Sequence, residues 1–552
     1  MTTPPLRLVP LGGLGEVGKN MMALECGDDI VVIDSGVLFP EEEMLGVDLV
    51  IPDISYLVER HRKVRAILIT HGHEDHTGAL PYVLPRLHVP VYAPRLAHGL
   101  VMGKLKEHHL LAEADLHVVR PGEPLSLGAF TVEFFRVCHS IPDAMGLVID
   151  TPVGRIVHTG DFKIDHTPAD GRTTDLARIA RAGAEGVLLL LSDSTYAELP
   201  GYTPSERVVA ETLDRAIGEA PGRVLVTTFA SLIARIQQVL DAAAFHGRKV
   251  AIIGRSMEQN VKIAREMGYL QISNGLLVGV REAANLPPEE VVLITTGSQG
   301  EPTSALVRIA NQDHRDIQII PGDTVIISAS PVPGNETLVG KTIDNLFRQG
   351  AEVLYERINT VHVHGHASQE ELKLMLNLAK PRYFVPVHGM YRHLAAHARL
   401  AYQMGVPESN IFVLEDGDVL EVTAGGAEVV DSVRAGHIYV DGLSTWGPDS
   451  PVLRDRKILA SDGIVVVIVT LDKTTGLLTA PPQVVSSGLL DPTATADLFA
   501  RVGTAVQDAL AHRARASGDG SFTSAKVKET ARKILYRETG RRPMIIPVTL
   551  EV

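Results

Sequence analysis

The stretch Thr70-His71-Gly72-His73-Glu74-Asp75-His76 directly follows the apolar segment AILIT, which is typical of a buried strand. Three imidazoles and the carboxylate of Asp75 therefore lie within six residues at a strand end. Such a cluster can bind metal if the loop turns so that His71 and His73 face one ion while Asp75 and His76 face its neighbour. An isolated histidine is usually a packed or solvated residue, but this density indicates a metal site.

Further candidate ligands follow other predicted strands. His139 lies in RVCHSIPD, and Asp161 lies in HTGDFK. A carboxylate can bridge two cations about 3.5–4 Å apart, whereas a neutral imidazole cannot, so one aspartate between histidine clusters is chemically expected. Asp161 suits that role.

A glycine pattern near the start of the chain, Gly13-Leu-Gly15-Glu-Val-Gly18, must be weighed as a dinucleotide-binding fingerprint with Asp34 as its acidic residue. That fold needs a long helix after the last glycine. Here KNMMALE is stopped by the turn at Cys26-Gly27-Asp28-Asp29. The sequence therefore predicts a loop between two antiparallel strands.

Length and composition limit the class of protein. The chain has 552 residues, 45% of them apolar, which is enough for two or three packed domains. Two cysteines give no disulfide framework, the opening MTTPPLRLVP lacks the basic and apolar segments typical of a signal peptide, and no apolar run is long enough to span a bilayer. We expect a soluble cytoplasmic protein.

The net charge of −14 requires that any nucleic-acid site be locally basic. One local excess is KVKETARKILYRETGRR at residues 526–542. Its alternative interpretation is a solvated helix face.

The pattern of elements predicts five segments. Residues 1–205 read as a layered α/β domain, 206–348 as an inserted parallel α/β domain, and 349–442 as a return to the first domain. A Gly/Pro/Ser/Asp-rich linker is predicted at 443–463 and a small α/β unit at 464–552.

Asp34 in VVIDSG, the HGHEDH cluster, His139 and Asp161 resemble the successive motifs of the metallo-β-lactamase superfamily. Three more residues, Asp193 in LLLLSDST, His366 in VHVHGHAS and His388 in VPVHGMYRH, resemble the motifs of its beta-CASP branch, whose members process nucleic acids. PLGGLGEVGKN, GVDLVIPD, TTFASLIARI and the C-terminal unit narrow the resemblance to the ribonuclease J family over essentially the whole chain. The implied fold is an αββα sandwich with an inserted parallel α/β beta-CASP domain and a small C-terminal α/β domain.

The resemblance also implies roles for individual residues. One metal would be held by His71, His73 and His139, the other by Asp75, His76 and His388, with Asp161 shared. Zinc is the default for imidazole-rich sites, and manganese remains open as the activating metal.

Four residues are predicted to serve catalysis: His366, Asp34, Asp193 and the ligand Asp75. Asp34 would orient a histidine ligand. Asp193 would do the same or cap a helix before STYAE. His366 would donate to the reacting phosphate or to the leaving group.

Two further sites follow from the same resemblance. A pocket for a nucleotide phosphate would be formed by Ser231, His364, Gly365, His366, Ala367 and Ser368, although His364 occupies a position that is often serine in relatives. Asp48 and Asp441 resemble positions that hold a structural calcium ion, and they equally fit turn residues at strand ends.

We therefore expect an enzyme that hydrolyses single-stranded RNA, with 5′-to-3′ exonuclease and endonuclease activity, in RNA maturation and mRNA decay. The resemblance implies a homodimer and association with an RNA-decay complex. A DNA nuclease of the same branch is one alternative, because none of the predicted metal ligands indicates a contact with a 2′-hydroxyl group. A catalytically silent scaffold is another.

Overall fold

A computed structural model describes residues 3–41, 44–332, 334–442, 444–447, 449–490, 496–511 and 520–552. The chain divides into two compact units, of which the first comprises the described residues of Met1–Phe39 and Val50–His437. The second comprises those of Pro40–Leu49 and Ile438–Val552.

The first unit begins with an eight-stranded mixed sheet. Leu6–Gly12 pairs antiparallel with Met21–Cys26, with Leu8 opposite Leu24. The glycine pattern lies in the loop between them, as predicted, and Gly13 has φ +93°, a conformation that favours glycine. In spatial order the strands are Ala427–Ser432, Asp418–Val422, Leu6–Gly12, Met21–Cys26, Asp29–Ile33, Val64–Leu68, Val91–Ala93 and Leu116–Val118.

A six-stranded sheet packs against the first. Its apolar residues face those of the other sheet, so that Leu24, Leu68, Phe134, Leu147 and Leu191 share one buried core. The strands are Tyr383–Val387, Leu189–Asp193, Arg155–His158, Met145–Asp150, Phe130–Arg136 and Pro124–Leu127.

Helices cover the outer faces. Three pack on the six-stranded sheet, where Leu372 and Leu400 join Phe384 in a second core, namely Leu176–Glu185, Gln369–Ala379 and Tyr391–Gln403. The others of this domain are Ser55–Glu59, Glu74–Thr77, Leu80–Leu87 and Arg95–Glu107, and the last of them contacts the strands Val91–Ala93 and Leu116–Val118. The predicted αββα sandwich is confirmed.

The inserted domain is a five-stranded sheet, parallel throughout, with buried clusters on both faces. Its strands in spatial order are Lys249–Ile253, Val291–Thr295, Val224–Thr227, Thr324–Ile327 and Glu352–Leu354. Its helices are Glu206–Glu219, Ile233–Phe245, Arg255–Glu266, Val280–Ala283, Ala305–Ala310 and Glu336–Arg348.

The chain leaves the sandwich after the strand Leu189–Asp193 and returns to it through the helix Gln369–Ala379 and the strand Tyr383–Val387. These two strands pair in parallel, with Asp193 opposite Val387. The pairing therefore brings the carboxyl ends of two strands together although the whole inserted domain lies between them in sequence.

The second unit contains a three-stranded sheet formed by Gln483–Ser487, Ile464–Leu471 and Met544–Glu551. The helices Ala496–Ala511 and Gly520–Thr539 pack against it around Val467 and Val502. The predicted linker at 443–463 holds the strand Ser444–Trp446 and the helix Pro451–Asp462, whose Pro at the first turn is compatible with a helix start. Residues 443 and 448 of that linker lie outside the described residues.

Every helix in the described part of the chain is too short or too polar to cross a membrane.

Candidate metal centre

Asp34 fixes the loop that carries the histidine cluster. It follows the strand Asp29–Ile33 with φ 61°, a left-handed conformation that is uncommon outside glycine. Its carboxylate accepts hydrogen bonds from the Thr70 backbone N–H at 2.8 Å and from the Thr70 hydroxyl at 2.9 Å. It also accepts from Nδ1 of His76 at 2.8 Å. The contact with Nδ1 of His76 is the one expected of a carboxylate that orients a histidine ligand, which is the role predicted for Asp34.

Glycine at position 36 lets two backbone segments touch. A Cβ there would lie 1.6 Å from the carbonyl oxygen of Asp75, so any side chain would push the loop away. On either side, Ser35 N–H donates to the His76 carbonyl and Val37 N–H donates to the Glu74 carbonyl. The cluster loop is thus held by the main chain that follows Asp34.

A first group of donors consists of His71, His73 and His139. Nδ1 of His73 lies 3.1 Å from Nε2 of His71 and 3.2 Å from Nε2 of His139. Three ring nitrogens converging at this spacing have the character of a trigonal face for one metal ion.

A second group consists of Asp75, His76, Asp161 and His388, whose ligand atoms lie within 4.8 Å of one another. Oδ2 of Asp161 is 3.2 Å from Nε2 of His76 and 3.3 Å from Nε2 of His388. The same oxygen lies 3.7 Å from His71 and 3.8 Å from His139. One carboxylate oxygen therefore stands between the two groups, the position required of a bridging ligand.

The far nitrogens of these rings are also bonded. Nδ1 of His139 donates to the Gly365 carbonyl at 2.7 Å, and Nδ1 of His388 donates to Oδ1 of Asn20 at 2.8 Å. Because these partners keep the proton on Nδ1, each Nε2 can offer its lone pair to a metal ion once it has no proton of its own. The donor set therefore fits metal ions.

Burial keeps the first group uncharged. It lowers the pKa of His71 and His139 well below the ordinary value and that of His73 to about 4, because an imidazolium loses its hydration in the interior. Burial alone would raise the pKa of Asp161, but His388 and His76 hold that pKa well below its usual range. Neutral imidazoles and an ionised carboxylate are the forms that bind metal.

Asp193 and His366 form a third part of the centre. The Asp193 carboxylate accepts from Nδ1 of His366 at 2.7 Å and from Thr195 N–H and Oγ1 at 3.0 and 2.8 Å. No helix follows at residues 194–198, so the helix-capping alternative for Asp193 is wrong, because the carboxylate closes a turn instead. Nδ1 of His366 lies 4.0 Å from Oδ2 of Asp161.

Comparison with known proteins accounts for this arrangement. Residues 14–211 match the metallo-beta-lactamase superfamily, 221–346 the ribonuclease J beta-CASP domain, and 451–552 the ribonuclease J C-terminal domain. Ribonuclease J2 of Bacillus subtilis is 43% identical over 551 residues, covering 100% of this chain and 99% of that one. The chain belongs to the ribonuclease J family.

Other similarities agree with membership of the ribonuclease J family. Ribonuclease J of Thermus thermophilus is 46% identical over 555 residues, covering 99% of this chain and 95% of its own. Residues 350–413 match the Zn-dependent metallo-hydrolase RNA specificity domain. A crystal structure of a protein of unknown function from Enterococcus faecalis covers 76% of this chain and 100% of its own with a TM-score of 0.55 at 16% identity, which is a likeness of fold. The protein is thus a ribonuclease J-type metallo-hydrolase whose His/Asp clusters can bind metal.

The predicted phosphate-pocket residues differ in how free their side chains are. Ser368 is buried and caps the start of the helix Gln369–Ala379. Its hydroxyl lies 3.1 Å from that of Thr203. His364 stacks on Tyr196 with ring centroids 3.9 Å apart, and its Nδ1 donates to the His366 carbonyl. Ser231 has no hydrogen bond through its hydroxyl among the described residues.

Gly365 places its backbone directly against His139. A Cβ at this position would lie 2.8 Å from the His139 ring, so only glycine allows the carbonyl to approach Nδ1 of that ring. Ala367, two residues on, is buried in the core beside the helix Gln369–Ala379. The backbone of this segment is therefore fixed from both sides.

The predicted calcium pair engages other groups. The Asp48 carboxylate accepts from the Gly442 N–H at 2.7 Å, and the Asp441 carboxylate pairs with the Arg456 guanidinium at 2.5 Å. These contacts agree with the alternative interpretation, in which Asp48 and Asp441 are turn residues at strand ends. The calcium site stays a prediction.

Asn20 is a residue that the sequence interpretation missed. Its side-chain oxygen accepts from His388, and its Nδ2 donates to the Asp75 carbonyl at 3.1 Å and lies 3.2 Å from Nε2 of His76. One side chain thus contacts three members of the second donor group and orients His388 through its Nδ1. It lies at the end of the opening motif PLGGLGEVGKN, which was quoted only as a family resemblance.

Asn20→Ala should weaken metal binding by the second group roughly 10- to 100-fold, because an orienting partner of His388 is lost. Titration of the metal-free protein with zinc, followed by elemental analysis at limiting free metal, should then give less than the wild-type metal content while the first group stays loaded. Asn260→Ala removes a comparable amide from the inserted domain, where it donates to Ala230, and is the control. Equal metal content in the Asn20 variant and the control would contradict the orienting role.

Metal binding should release protons at neutral pH. Burial alone would lower the pKa of His388, but the Asp161 carboxylate raises it to about 9. In the metal-free protein His388 is therefore protonated at neutral pH, and it must release that proton to bind a metal ion. The pKa of His76 is also raised well above its ordinary value by Asp161 and Asp75, against the effect of burial, so affinity should rise with pH through the neutral range. Calorimetric titration in two buffers of different ionisation enthalpy measures the release, and an enthalpy independent of the buffer at pH 7 would contradict it.

Proposed function

We propose that this protein is a two-metal RNA phosphodiesterase with 5′-to-3′ exonuclease and endonuclease activity. The observation that carries the proposal is the convergence of seven donors on two neighbouring points that share Oδ2 of Asp161. Family membership supplies RNA as the substrate class, since the relatives bear the name ribonuclease J.

The first point would be held by His71, His73 and His139, and the second by Asp75, His76 and His388, with Asp161 shared. Zinc suits this imidazole-rich set, and manganese accepts the same ligands as the activating metal. When bound, two such cations acidify water and neutralise the charge of a phosphodiester.

His366 would act as proton donor opposite the donor clusters. Burial alone would lower its pKa, but the charge of Asp193 and the hydrogen bond to it raise that pKa above its ordinary value. The raised pKa favours the protonated ring, whose Nε2–H would donate to a phosphate oxygen or to the leaving oxygen. Asp193 is a positioning residue, because it holds the ring through Nδ1.

Ser231, His364 and the backbone around Gly365 would receive the 5′ phosphate of the substrate. Ser368 contributes to this pocket by holding the start of the helix Gln369–Ala379, since its hydroxyl already meets Thr203. The Ser231 hydroxyl has no such partner among the described residues and is the better candidate for direct contact with phosphate.

A DNA nuclease of the same branch would need the same donor set, so the choice of RNA rests on the family. A catalytically silent scaffold would have no need for seven converging donors with their supporting hydrogen bonds. We also propose that the protein acts in RNA maturation and mRNA decay in the cytoplasm. It would do so as a homodimer that associates with an RNA-decay complex.

His73→Ala and Asp161→Ala should each abolish RNA hydrolysis, since each removes a donor from the centre while the sandwich core stays intact. Turnover is measured in metal-controlled buffer with matched single strands of RNA and DNA. His314→Ala, which changes a histidine on the inserted domain, is the control. Turnover of both variants within about tenfold of wild type would contradict the two-metal mechanism. Hydrolysis of DNA faster than that of RNA by the wild type would favour the DNA-nuclease alternative.

Exonucleolytic decay should be faster on RNA with a 5′ monophosphate than on the same RNA with a triphosphate, because a closed pocket leaves the extra charge unpaired. Ser231→Ala should slow decay of the monophosphorylated RNA roughly 10- to 150-fold, since a hydrogen bond to a charged group contributes about 1.5–3 kcal/mol. Cleavage of a circular RNA, which has no 5′ end, should fall less.

The control for this experiment is Ser409→Ala, which removes an exposed hydroxyl outside the predicted pocket. Decay of both linear RNAs and of the circular RNA is followed in parallel for each protein. Equal decay of the two linear RNAs by the wild type, or equal loss on linear and circular RNA in the Ser231 variant, would show that these residues form no 5′-phosphate pocket.

A further inference from the structure

One face of the helix Gly520–Thr539 is fixed by the core of the second unit. Val527, Ala531 and Leu535 recur every four residues and are 1%, 0% and 0% exposed. Since residues four apart share a helix face, the phase of the helix is set, and Lys528 and Arg532 must point outward. Both are exposed.

The outward face carries an aromatic ring in line with these cations. Tyr536 follows Arg532 by one turn and is 49% exposed. Beyond the helix end, the Arg542 guanidinium lies over the Tyr536 ring, 4.9 Å from its centroid. We call Lys528, Arg532, Tyr536 and Arg542 the basic stripe.

The acidic residues of this segment are already neutralised by other cations. Glu529 pairs with Lys533 at 2.7 Å and with Lys526 at 3.7 Å.

Glu538 pairs with Arg537 and with Arg501, each at 2.9 Å. Within the described residues, Lys528, Arg532 and Arg542 have no ion pair. The stripe therefore presents uncompensated positive charge on a chain whose net charge is −14.

We propose that the basic stripe is an accessory binding surface for single-stranded RNA. Cations spaced by one helical turn, about 6 Å, can follow a phosphate backbone, and an exposed ring between them can stack a base. The inference rests on the proposed function for its choice of RNA as the polyanion. The predicted metal ligands all precede Gly389, so this surface belongs to a different part of the chain from the centre that hydrolyses RNA.

A membrane surface is the less suitable partner. A helix that binds a bilayer inserts its apolar face into the lipid, whereas Val527, Ala531 and Leu535 on the apolar face of this helix are buried in the protein core. Phosphate contacts with base stacking use the side chains that the helix does expose.

The test is a fluorescence-anisotropy titration of the full chain with a labelled single-stranded RNA, in a chelating buffer that prevents hydrolysis, over a series of salt concentrations. Lys528→Gln, Arg532→Gln and Arg542→Gln combined should weaken binding roughly tenfold or more and reduce the salt slope by about 2, since each phosphate contact on a single strand contributes about 0.7. Tyr536→Leu should weaken binding roughly 5- to 150-fold with the salt slope unchanged.

The matched control removes an ion pair from the same helix without changing net charge, by Glu529→Gln with Lys533→Gln, and should bind RNA as the wild type does. Arg532→Lys, which keeps the charge, should keep the salt slope. Circular dichroism and sedimentation of each variant check its fold and its association state.

Wild-type RNA affinity in both the triple variant and Tyr536→Leu would overturn the proposal. So would an equal loss in the control, a loss that only follows a change of association state, or binding of phosphatidylserine vesicles with no binding of RNA. Because binding is measured without hydrolysis, a wild-type protein that binds RNA through the stripe but cleaves none would refute the proposed function and leave this surface standing.

Discussion

The first unit is organised around the buried carboxylate of Asp161. Its Oδ2 lies within 3.2–3.8 Å of one nitrogen from each of four imidazoles, those of His76, His388, His71 and His139. A buried charge is tolerated only where compensating groups are held in place, and here the four imidazoles come from three separated segments of the chain. The two sheets, the cluster loop and the parallel pair of strands at the insertion point all serve to keep these segments in register.

The sequence predicted this centre where its information is local. The cluster at residues 70–76 can be recognised from the sequence alone because its donors lie within six consecutive residues after a predicted strand. His388 was assigned only by resemblance, since nothing near it in sequence shows that its strand pairs with Leu189–Asp193. Asn20 was missed for a related reason: its partners Asp75 and His388 lie 55 and 368 positions away, and asparagine is common in loops without such partners.

Two other stretches show what residue type alone leaves open. The stretch around residues 443–463 is rich in Gly, Pro, Ser and Asp and reads as a linker, yet a helix begins at Pro451, since proline is favoured in the first helical turn. Ser368 was placed in the phosphate pocket by resemblance; its buried hydroxyl lies against that of Thr203, and its place in the pocket stays a prediction. In both cases the residue type permits two roles, and only the position of neighbouring segments decides between them.

The parallel pairing of Leu189–Asp193 with Tyr383–Val387 also orders events during synthesis. The strand that carries Asp193 leaves the ribosome before residues 194–382, and at about 5–20 residues per second that interval lasts roughly 10 to 40 s. Until then the six-stranded sheet lacks one edge and the set of seven donors lacks His388. Under the proposed function, a nascent chain beside its own messenger RNA would therefore be without a finished centre until residue 388 has been synthesised.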